Sequence, residues 1–471
     1  MEQRVIVFKV ESAWLKRGEK RLNASSFSPE TAKVMHLIDE LRFNSVEISK
    51  VGDMVNKIFY PPRFKRHYSS SGVRFLSSKD IFDILLKGKI ISNEAKNYMI
   101  GNNWLLVTRS GSVGRVLIAN KNISSAAISE HVIRIVPRAR MPMGYLYAYL
   151  KSSIGQALLI KNIFGGVVDE IEPQHIANIP IPRKNNLEME INKKIRRVFK
   201  LREESANLLQ DAIEKLHSEL HLPHLIDDIE QLGDKDNSSI LQFKLKASEI
   251  DKRLDASYHI PIFHRAKQNL TKNKFGQVLK LGDIAESFVP PRFKRAYVKN
   301  EAEGIPLLQG THIPQIKPQG IKYIWKEMKN LEAYKVRKNW ILVTCSGTIG
   351  RLSMVRNHWD GWAATNHLLR IVAKQGKLKE GFLAIFLMSI YGQIQFNRLV
   401  YGGVVDEIGE AGGLFNDILI LKPKDKELEN IIGSQATKAF DKRDQANEIE
   451  DKTIRLLERT LTESAGMKIK N

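Results

Sequence analysis

The sequence predicts an α+β protein. It is built as two similar globular domains separated by two long antiparallel helices that form a coiled coil, with pseudo-two-fold symmetry. Three observations carry this expectation: motifs recur in one order in both halves, each half mixes strand and helix patterning, and each half is followed by a long amphipathic segment. Pro61-Pro62-Arg63-Phe64-Lys65-Arg66 returns as Pro290-Pro291-Arg292-Phe293-Lys294-Arg295, 229 positions later. Ser110-Gly111-Ser112-Val113-Gly114-Arg115 returns as Ser346-Gly347-Thr348-Ile349-Gly350-Arg351, at an offset of 236. Gly165-Gly166-Val167-Val168-Asp169-Glu170-Ile171 returns unchanged as Gly402-Gly403-Val404-Val405-Asp406-Glu407-Ile408, at an offset of 237. Periods of about 20 to 50 residues mark solenoids, so a period this long marks a duplicated domain.

Each half opens with a related segment, Arg21-Leu22-Asn23-Ala24-Ser25 and Arg253-Leu254-Asp255-Ala256-Ser257. Val51-Gly52-Asp53 and Leu281-Gly282-Asp283 then lead into a turn. In the Pro-Pro-Arg-Phe-Lys-Arg element, two prolines in a row forbid a helix interior and deny ladder donors, so it is an extended loop or strand edge. An aromatic follows at Tyr68 and Tyr297; Trp104 lies 36 residues beyond the first and Trp340 lies 43 beyond the second, so seven extra residues fall in this interval. Trp104-Leu105-Leu106-Val107-Thr108 and Trp340-Ile341-Leu342-Val343-Thr344 read as buried strands, each stopped by Ser-Gly. Residues 113–118 and 131–136 read as further strands, the latter matched by 367–372. Helical patterns occupy 143–160 and 380–398. Ile179-Pro180-Ile181-Pro182 and Ile418-Leu419-Ile420-Leu421 close the two halves.

The connectors differ in kind from the domains. Residues 186–220 contain neither Gly nor Pro, and Leu187, Ile191, Ile195, Val198, Leu209, Ala212, Leu216 and Leu220 mark one helix face, interrupted by Arg202 and Ser205. Residues 425–463 repeat the plan with Leu428, Ile432, Ala436, Ala439, Ala446, Ile454, Leu457 and Leu461. A helix of about 35 residues is a rod of roughly 52 Å. With one apolar stripe it must bury that stripe, and its own repeat is the obvious partner. Residues 221–240, with Pro223, Gly233, Asp234, Asp236 and Asn237, form the linker into the second half. The expected domains are 1–184, a spacer helix and linker at 185–230, 231–424, and a second helix at 425–471.

Charge indicates the partner. Lys+Arg 74 against Asp+Glu 52 give +22, distributed as +13 over residues 1–184, −3 over 185–230, +13 over 231–424 and −1 over 425–471. Two equally basic domains on nearly neutral connectors imply two polyanion contacts, and double-stranded DNA is the expected polyanion. If the rods pack antiparallel, the domains lie at opposite ends and suit two half-sites separated by an unread gap.

The bulk composition excludes several classes. Hydrophobic content of 43% and charged content of 27% are those of an ordinary globular protein. No run reaches the roughly 18 apolar residues of a membrane span, and Met1-Glu2-Gln3-Arg4-Val5 lacks the layout of a signal peptide. The single cysteine, Cys345, fits a reducing cytosol and reads as a core filler, not a nucleophile. A cytoplasmic location without membrane contact is expected. There is no Asn/Asp-Pro-Pro-Tyr/Phe methyltransferase motif, no Gly-x-x-x-x-Gly-Lys-Ser/Thr phosphate loop and no glycine fingerprint after a strand.

The layout and motifs resemble the specificity (S) subunit of type I restriction–modification enzymes, over essentially the whole chain. Leu106–Arg115 and Leu342–Arg351 are similar to the centre of that family's target-recognition domain, and Ile179-Pro180-Ile181-Pro182 to its end. The resemblance implies a non-catalytic subunit that reads a bipartite DNA target, one half-site per domain. It further implies two docked adenine-N6 DNA methyltransferase subunits joined by restriction and translocase subunits. No cofactor is expected on this chain; S-adenosylmethionine, ATP and Mg would sit on the partners. The competing readings are a stand-alone bipartite DNA-binding regulator and a DNA-modifying or DNA-cleaving enzyme with an unrecognised site.

Arg63, Lys65, Arg66, Arg292, Lys294 and Arg295 are the leading DNA-contact candidates, because clustered cations on proline-stiffened loops suit phosphates and Arg also reads guanine. The competing reading is a solvated loop with Phe64 and Phe293 tucked inward. Elements identical in both halves cannot distinguish different half-sites, so base readout is expected where the halves diverge, at 67–100 against 296–336 and at 116–130 against 352–366. Candidates there are Gln309, Thr311, His312, Gln315 and Lys317, with Lys79 (beside Ser77 and Ser78) at the equivalent place in the first half. Tyr68, Arg74 and Tyr297 join the set, as do Arg115 and Arg351, which either bind phosphate or brace their turns. Asp169-Glu170 and Asp406-Glu407 read as structure or docking, not as a catalytic pair. His217, His221 and His224 near Asp227-Asp228 lack the companions of a zinc site, so no metal is expected.

Overall fold

The computed structural model describes residues 12, 28–86, 88–161, 163, 169–225, 243–250, 252–401, 406–408 and 411–467. The opening segment 21–25, the Gly-Gly-Val-Val of both copies, Asp227-Asp228 and most of the linker 221–240 lie outside these residues. The fold is mixed helix and sheet, in two sheet-rich units: residues 1–203 with 445–471, and residues 204–444. The units divide within the long helices, not at their ends.

In the first unit a four-stranded antiparallel sheet orders Val55–Phe59, Val132–Pro137, Leu105–Thr108 and Val116–Ile118. A second sheet orders Lys89–Ile91, Tyr68–Leu76 and Ala127–Ile128. Glu47–Lys50 pairs with Pro180–Arg183, so the start and the close of the domain meet. Val51–Met54, expected to lead into a turn, is itself a single helical turn with the Asp53 carboxylate accepting from the Lys50 amide.

The second unit repeats this plan. Its four-stranded sheet orders Ala285–Phe288, Leu368–Ala373, Ile341–Thr344 and Leu352–Met354, and Gly276–Lys280 pairs with Leu419–Pro423. Its other sheet orders Tyr297–Val298, Lys322–Trp325, Gly304–Leu308 and Ala363–Ala364. The single strand Tyr68–Leu76, which carries a register shift, thus corresponds to two strands here. Matching registers give offsets of 229 at Tyr297, 232 at Leu307, 233 at Lys322 and 236 at Trp340. The seven extra residues therefore enter as three separate insertions around this strand pair.

The helical patterns 143–160 and 380–398 each split in two, at Met143–Lys151 and Ser153–Lys161, and at Glu380–Met388 and Ile390–Arg398. Ser152 and Ser389 are extended at the breaks, with ψ 162 and 165. Each donates its hydroxyl back to a carbonyl of the preceding helix, Tyr149 and Phe386, both at 2.6 Å. A glycine three residues on makes the bend possible. A Cβ on Gly155 would stand 2.1 Å from the Tyr149 oxygen, and one on Gly392 would stand 2.5 Å from the Leu387 oxygen.

The long helices run Asn185–Glu219 and Lys426–Ser464. In the first unit Leu187, Ile191, Ile195 and Val198 share a core with Ala446, Leu457 and Leu461. The helices run antiparallel there: Lys184 Nζ donates to Ser464 Oγ at 2.9 Å, and Arg202 Nη2 to Asn447 Oδ1 at 2.9 Å. In the second unit Lys442 Nζ donates to Glu204 Oε2 at 2.6 Å, and Ser205 Oγ to the Ala439 carbonyl at 2.7 Å. Arg202 and Ser205 thus interrupt the apolar seam because each is buried against a polar partner. Among the described residues no helix is long and apolar enough to cross a membrane.

Candidate nucleic-acid interface

The proline-stiffened loops alternate inward and outward, as an extended backbone does. Arg63 and Lys65 are exposed while Phe64 and Arg66 are half-buried; Arg292 and Lys294 are exposed while Phe293 and Arg295 are half-buried. The phenylalanines anchor the loops. Phe64 stacks on Tyr98 at 3.7 Å and meets Phe75 edge-on at 6.0 Å, and Phe293 packs on Tyr334 at 3.9 Å. Each loop therefore presents two cations to solvent from a fixed base and keeps a third cation at its rim.

Those rim arginines have different surroundings. Arg66 lies over Phe75 at 4.8 Å and donates Nη2 to Glu130 Oε2 at 2.6 Å. Arg295 lies over Phe293 at 5.8 Å. Beyond each loop an exposed tyrosine lies under a lysine: Tyr68 (58% exposed) with Lys89 at 4.6 Å, and Tyr297 (47% exposed) with Lys322 at 5.2 Å. Both lysines belong to the neighbouring strand, so each half offers an aromatic face next to a cation.

The Ser-Gly-x-x-Gly-Arg turns are built alike. Gly111, Gly114, Gly347 and Gly350 hold φ near +80°, at 76, 81, 75 and 77, a conformation that a side chain strains. Thr108 and Thr344 accept the amides of Arg115 and Arg351 at 2.9 Å and donate their hydroxyls to the carbonyls of Ser112 and Thr348. Arg115 lays its guanidinium over Phe82 at 3.7 Å; burial pushes it down to about 10, against Asp83, which favours the charged form. Its side chain braces the interior of the first domain. Arg351 is half-buried at the same turn.

The divergent segment after Leu308 is a compact turn. Gln309 donates its amide to His312 Nδ1 at 3.1 Å, and Gln315 Nε2 donates to the Thr311 carbonyl at 2.7 Å while its Oε1 accepts from Gln319. His312 and Gln315 are 3% and 9% exposed, so their side chains are used within the turn. Thr311 is exposed, and Gln309 and Lys317 are half-buried. In the first domain Asp80 closes the matching turn by accepting from the Ser77 amide and hydroxyl, which leaves Lys79 exposed. Arg74 donates to the Leu86 carbonyl at 3.2 Å.

Asp169-Glu170 and Asp406-Glu407 bridge back to the Ser-Gly turns, with Ser110 opposite Glu170 and Ser346 opposite Glu407. Arg109 pairs with Glu170 at 2.8 Å and Glu172 at 3.0 Å and lies over Tyr60 at 4.3 Å. Its counterpart Cys345 is buried, and burial pushes its thiol up to about 11, which suits a core residue and not a nucleophile. His217 stacks on His224 at 5.6 Å, and among the described residues no group of three or more His, Cys, Asp or Glu is placed to hold a metal ion.

Glu130 and Asn366 close the divergent segments 116–130 and 352–366, and neither they nor the strand-heading His131 and His367 are singled out by the sequence as site residues. The repeated histidine at the head of a strand was the available signal. Ser110 Oγ lies 2.7 Å from His131 Nδ1, so this position touches the repeated turn. Behind it, buried Arg134 donates to the Ile128 and Val132 carbonyls at 2.7 and 2.8 Å, and buried Arg370 donates to those of Ala364 and Thr365, both at 2.7 Å. Each arginine fixes the segment that carries the histidine.

No curated protein sequence matches the chain. Among solved structures it is similar to the S subunit of the type I restriction–modification system from M. genitalium, at 13% identity and TM-score 0.33, over 91% of this chain and 98% of that one. It is also similar to the HsdS subunit from Thermoanaerobacter tengcongensis, at 12% identity and TM-score 0.28, over 89% and 96%. The type IIG restriction endonuclease BpuSI matches at 9% identity and TM-score 0.26, over 77% and 45%. Residues 273–408 match the family model described as Type I restriction modification DNA specificity domain. That match lies within the second unit, residues 204–444, whose pairing of sheets the first unit repeats.

Proposed function

We propose that this chain reads a bipartite target on double-stranded DNA, one half-site per domain, with recognition domains at 1–184 and 231–424. One observation carries the reading: the same pair of sheets is built twice, with identical cationic loops beside strand-and-turn segments that differ. Shared loops suit the backbone that all duplexes have in common. Differing segments suit the bases. On this reading Arg63, Lys65, Arg292 and Lys294 hold phosphates, and the segments around 77–79 and 309–317 face base edges.

The antiparallel pairings of Arg202 with Asn447 and of Ser205 with Ala439 support a two-helix coiled coil as the spacer that fixes the gap. Two adenine-N6 methyltransferase subunits would dock on the chain with restriction and translocase subunits beside them, and those partners would bring S-adenosylmethionine, ATP and Mg. The test is co-expression with an adenine methyltransferase encoded beside this chain, followed by sequencing of modified adenines. A gapped two-part motif that appears only when the chain is present is the expected result. Failure of the methyltransferase to copurify, or modification unchanged by the chain, would sink the reading.

A further inference from the structure

The duplication supplies an internal control, because the same six-residue loop meets different neighbours in the two domains. Glu130, which accepts from Arg66, is buried. Burial alone would raise its carboxyl, but its own backbone amide and the Arg66 guanidinium outweigh that and hold it below the usual carboxylate range. The pair is therefore ionised on both sides, and Glu130 neutralises Arg66. The residue at this position in the second domain is Asn366. Asparagine has no charge to offer, and among the described residues no carboxylate forms an ion pair with Arg295.

The surroundings of His367 carry the same signature. Its imidazole is held below its ordinary range by burial first, then by Arg295 and Arg292, with Glu407 acting in the opposite sense. Both loop cations thus act on a histidine whose own carbonyl accepts from the Cys345 amide at 3.1 Å, one residue before the Ser-Gly turn. In the first domain the corresponding histidine, His131, has Glu130 within 3.8 Å.

We propose that the loop 290–295 is a phosphate clamp whose rim arginine no carboxylate at position 366 neutralises, while in the matching loop 61–66 Glu130 neutralises Arg66, so that the second domain holds the DNA backbone more strongly than the first. The inference rests on the DNA reading above and assigns Glu130 and Asn366 as the residues that set the difference. The reason is counterion release. A solvated cation that meets a phosphate releases one condensed counterion, whereas an arginine already paired with a carboxylate contributes little.

The test measures binding of the full chain to a mixed-sequence duplex across a salt series. Asn366→Glu should weaken binding and make the slope of log affinity against log salt shallower by about one unit. Arg295→Gln should do the same, and being at a loop rim it carries the test if Asn366→Glu fails to fold. Glu130→Asn should steepen the slope by about one unit and tighten binding at low salt. Slopes unmoved by Asn366→Glu and Arg295→Gln, in a chain that binds the duplex, would overturn the asymmetry alone. A parent chain that binds no duplex would overturn the DNA reading and this inference with it.

Discussion

Arg202 Nη2 donates to Asn447 Oδ1 at 2.9 Å while Arg202 Nη1 lies 3.0 Å from Glu450 Oε1, and all three side chains are buried in the first unit. Tyr147 donates its hydroxyl to Glu450, and Lys151 Nζ stands 3.1 Å from Glu450 Oε2. Burial works against the Arg202 charge, but Glu450 first and then Tyr147 outweigh it and stabilise the guanidinium. One carboxylate thus serves two cations and a phenol from a helix position where an apolar stripe alone would leave register open. A polar group inside a helix seam fixes register at some cost in stability.

Glu450→Ala is therefore expected to destabilise the first unit by about 3 kcal/mol, because it strands a buried guanidinium and an ammonium together. Arg202→Met combined with Glu450→Met removes one of the two stranded cations, although Lys151 stays without its carboxylate, and should recover part of that loss. Denaturant melts of the two variants decide the point. A Glu450→Ala variant as stable as the parent would show that the cluster does not hold the helices.

The helix breaks at Ser152 and Ser389 make a second prediction. Gly155→Ala forces a methyl to within 2.1 Å of a backbone oxygen and 2.6 Å of the Leu150 Cα, neither of which can yield locally. The cost is about 2 to 3 kcal/mol, with a matching loss for Gly392→Ala. Gly111→Ala, with φ at 76 but nothing within 4 Å, should cost only about 1 kcal/mol. Equal losses at Gly155 and Gly111 in thermal melts would refute the close-packed bend.

The repeat, the helix faces and the core place of Cys345 were legible in the sequence because each follows from local pattern. Residues Leu187, Ile191, Ile195 and Val198 declare their face by spacing alone. The breaks at Ser152 and Ser389 were not legible, since Ser-x-x-Gly tolerates a continuous helix and only the packed backbone at Gly155 forbids it. Nor was the fate of Arg115, whose cover is Phe82, 33 residues away in sequence. The candidate site was readable as loops but not as charge. Arg66 and Arg295 are the same letter in the same motif, and the carboxylate that separates them lies 64 residues further on.

Cys345 has a pH-dependent signature. Its thiol is pushed up to about 11 by burial, so at pH 8 the thiolate is scarcer by about 100-fold than on an ordinary cysteine. A folded-state value above the unfolded one means the proton is held by the native state. That stability is complete below about pH 9 and is lost as pH rises through the folded value. Alkylation at pH 8 should be slow in the native chain and rapid after unfolding. Fast native labelling would show that the thiol is accessible.

Arg63 and Arg115 should separate cleanly when each is replaced by glutamine. Arg63 is exposed, so Arg63→Gln should leave the melting temperature unchanged and reduce the salt slope of duplex binding by about one unit. Arg115 is packed on Phe82, so Arg115→Gln should lower the melting temperature and leave the slope unchanged. A salt slope lowered by Arg115→Gln at unaltered stability would return that residue to the DNA contacts.

The spacer admits the most direct geometric test. The chain passes from one compact unit to the other within the long helices, between Glu203 and Glu204 and between Asp444 and Gln445. One heptad inserted at both places preserves the contacts within each unit, because seven residues nearly complete two turns, with a drift of about 20°. It lengthens the helical segment by roughly 10 Å, which is about three base pairs of duplex. Methylation mapped in cells with the co-expressed methyltransferase should then show a gap longer by about three base pairs, or no methylation if duplex twist forbids the fit. The bases of each half-site should be unchanged in either case. A heptad in Asn185–Glu219 alone should break the register set by Arg202 and Asn447 and lower stability as well. New bases in either half-site after the matched insertion would mean that the helices take part in reading the sequence, and the division between spacer and recognition domains would fall.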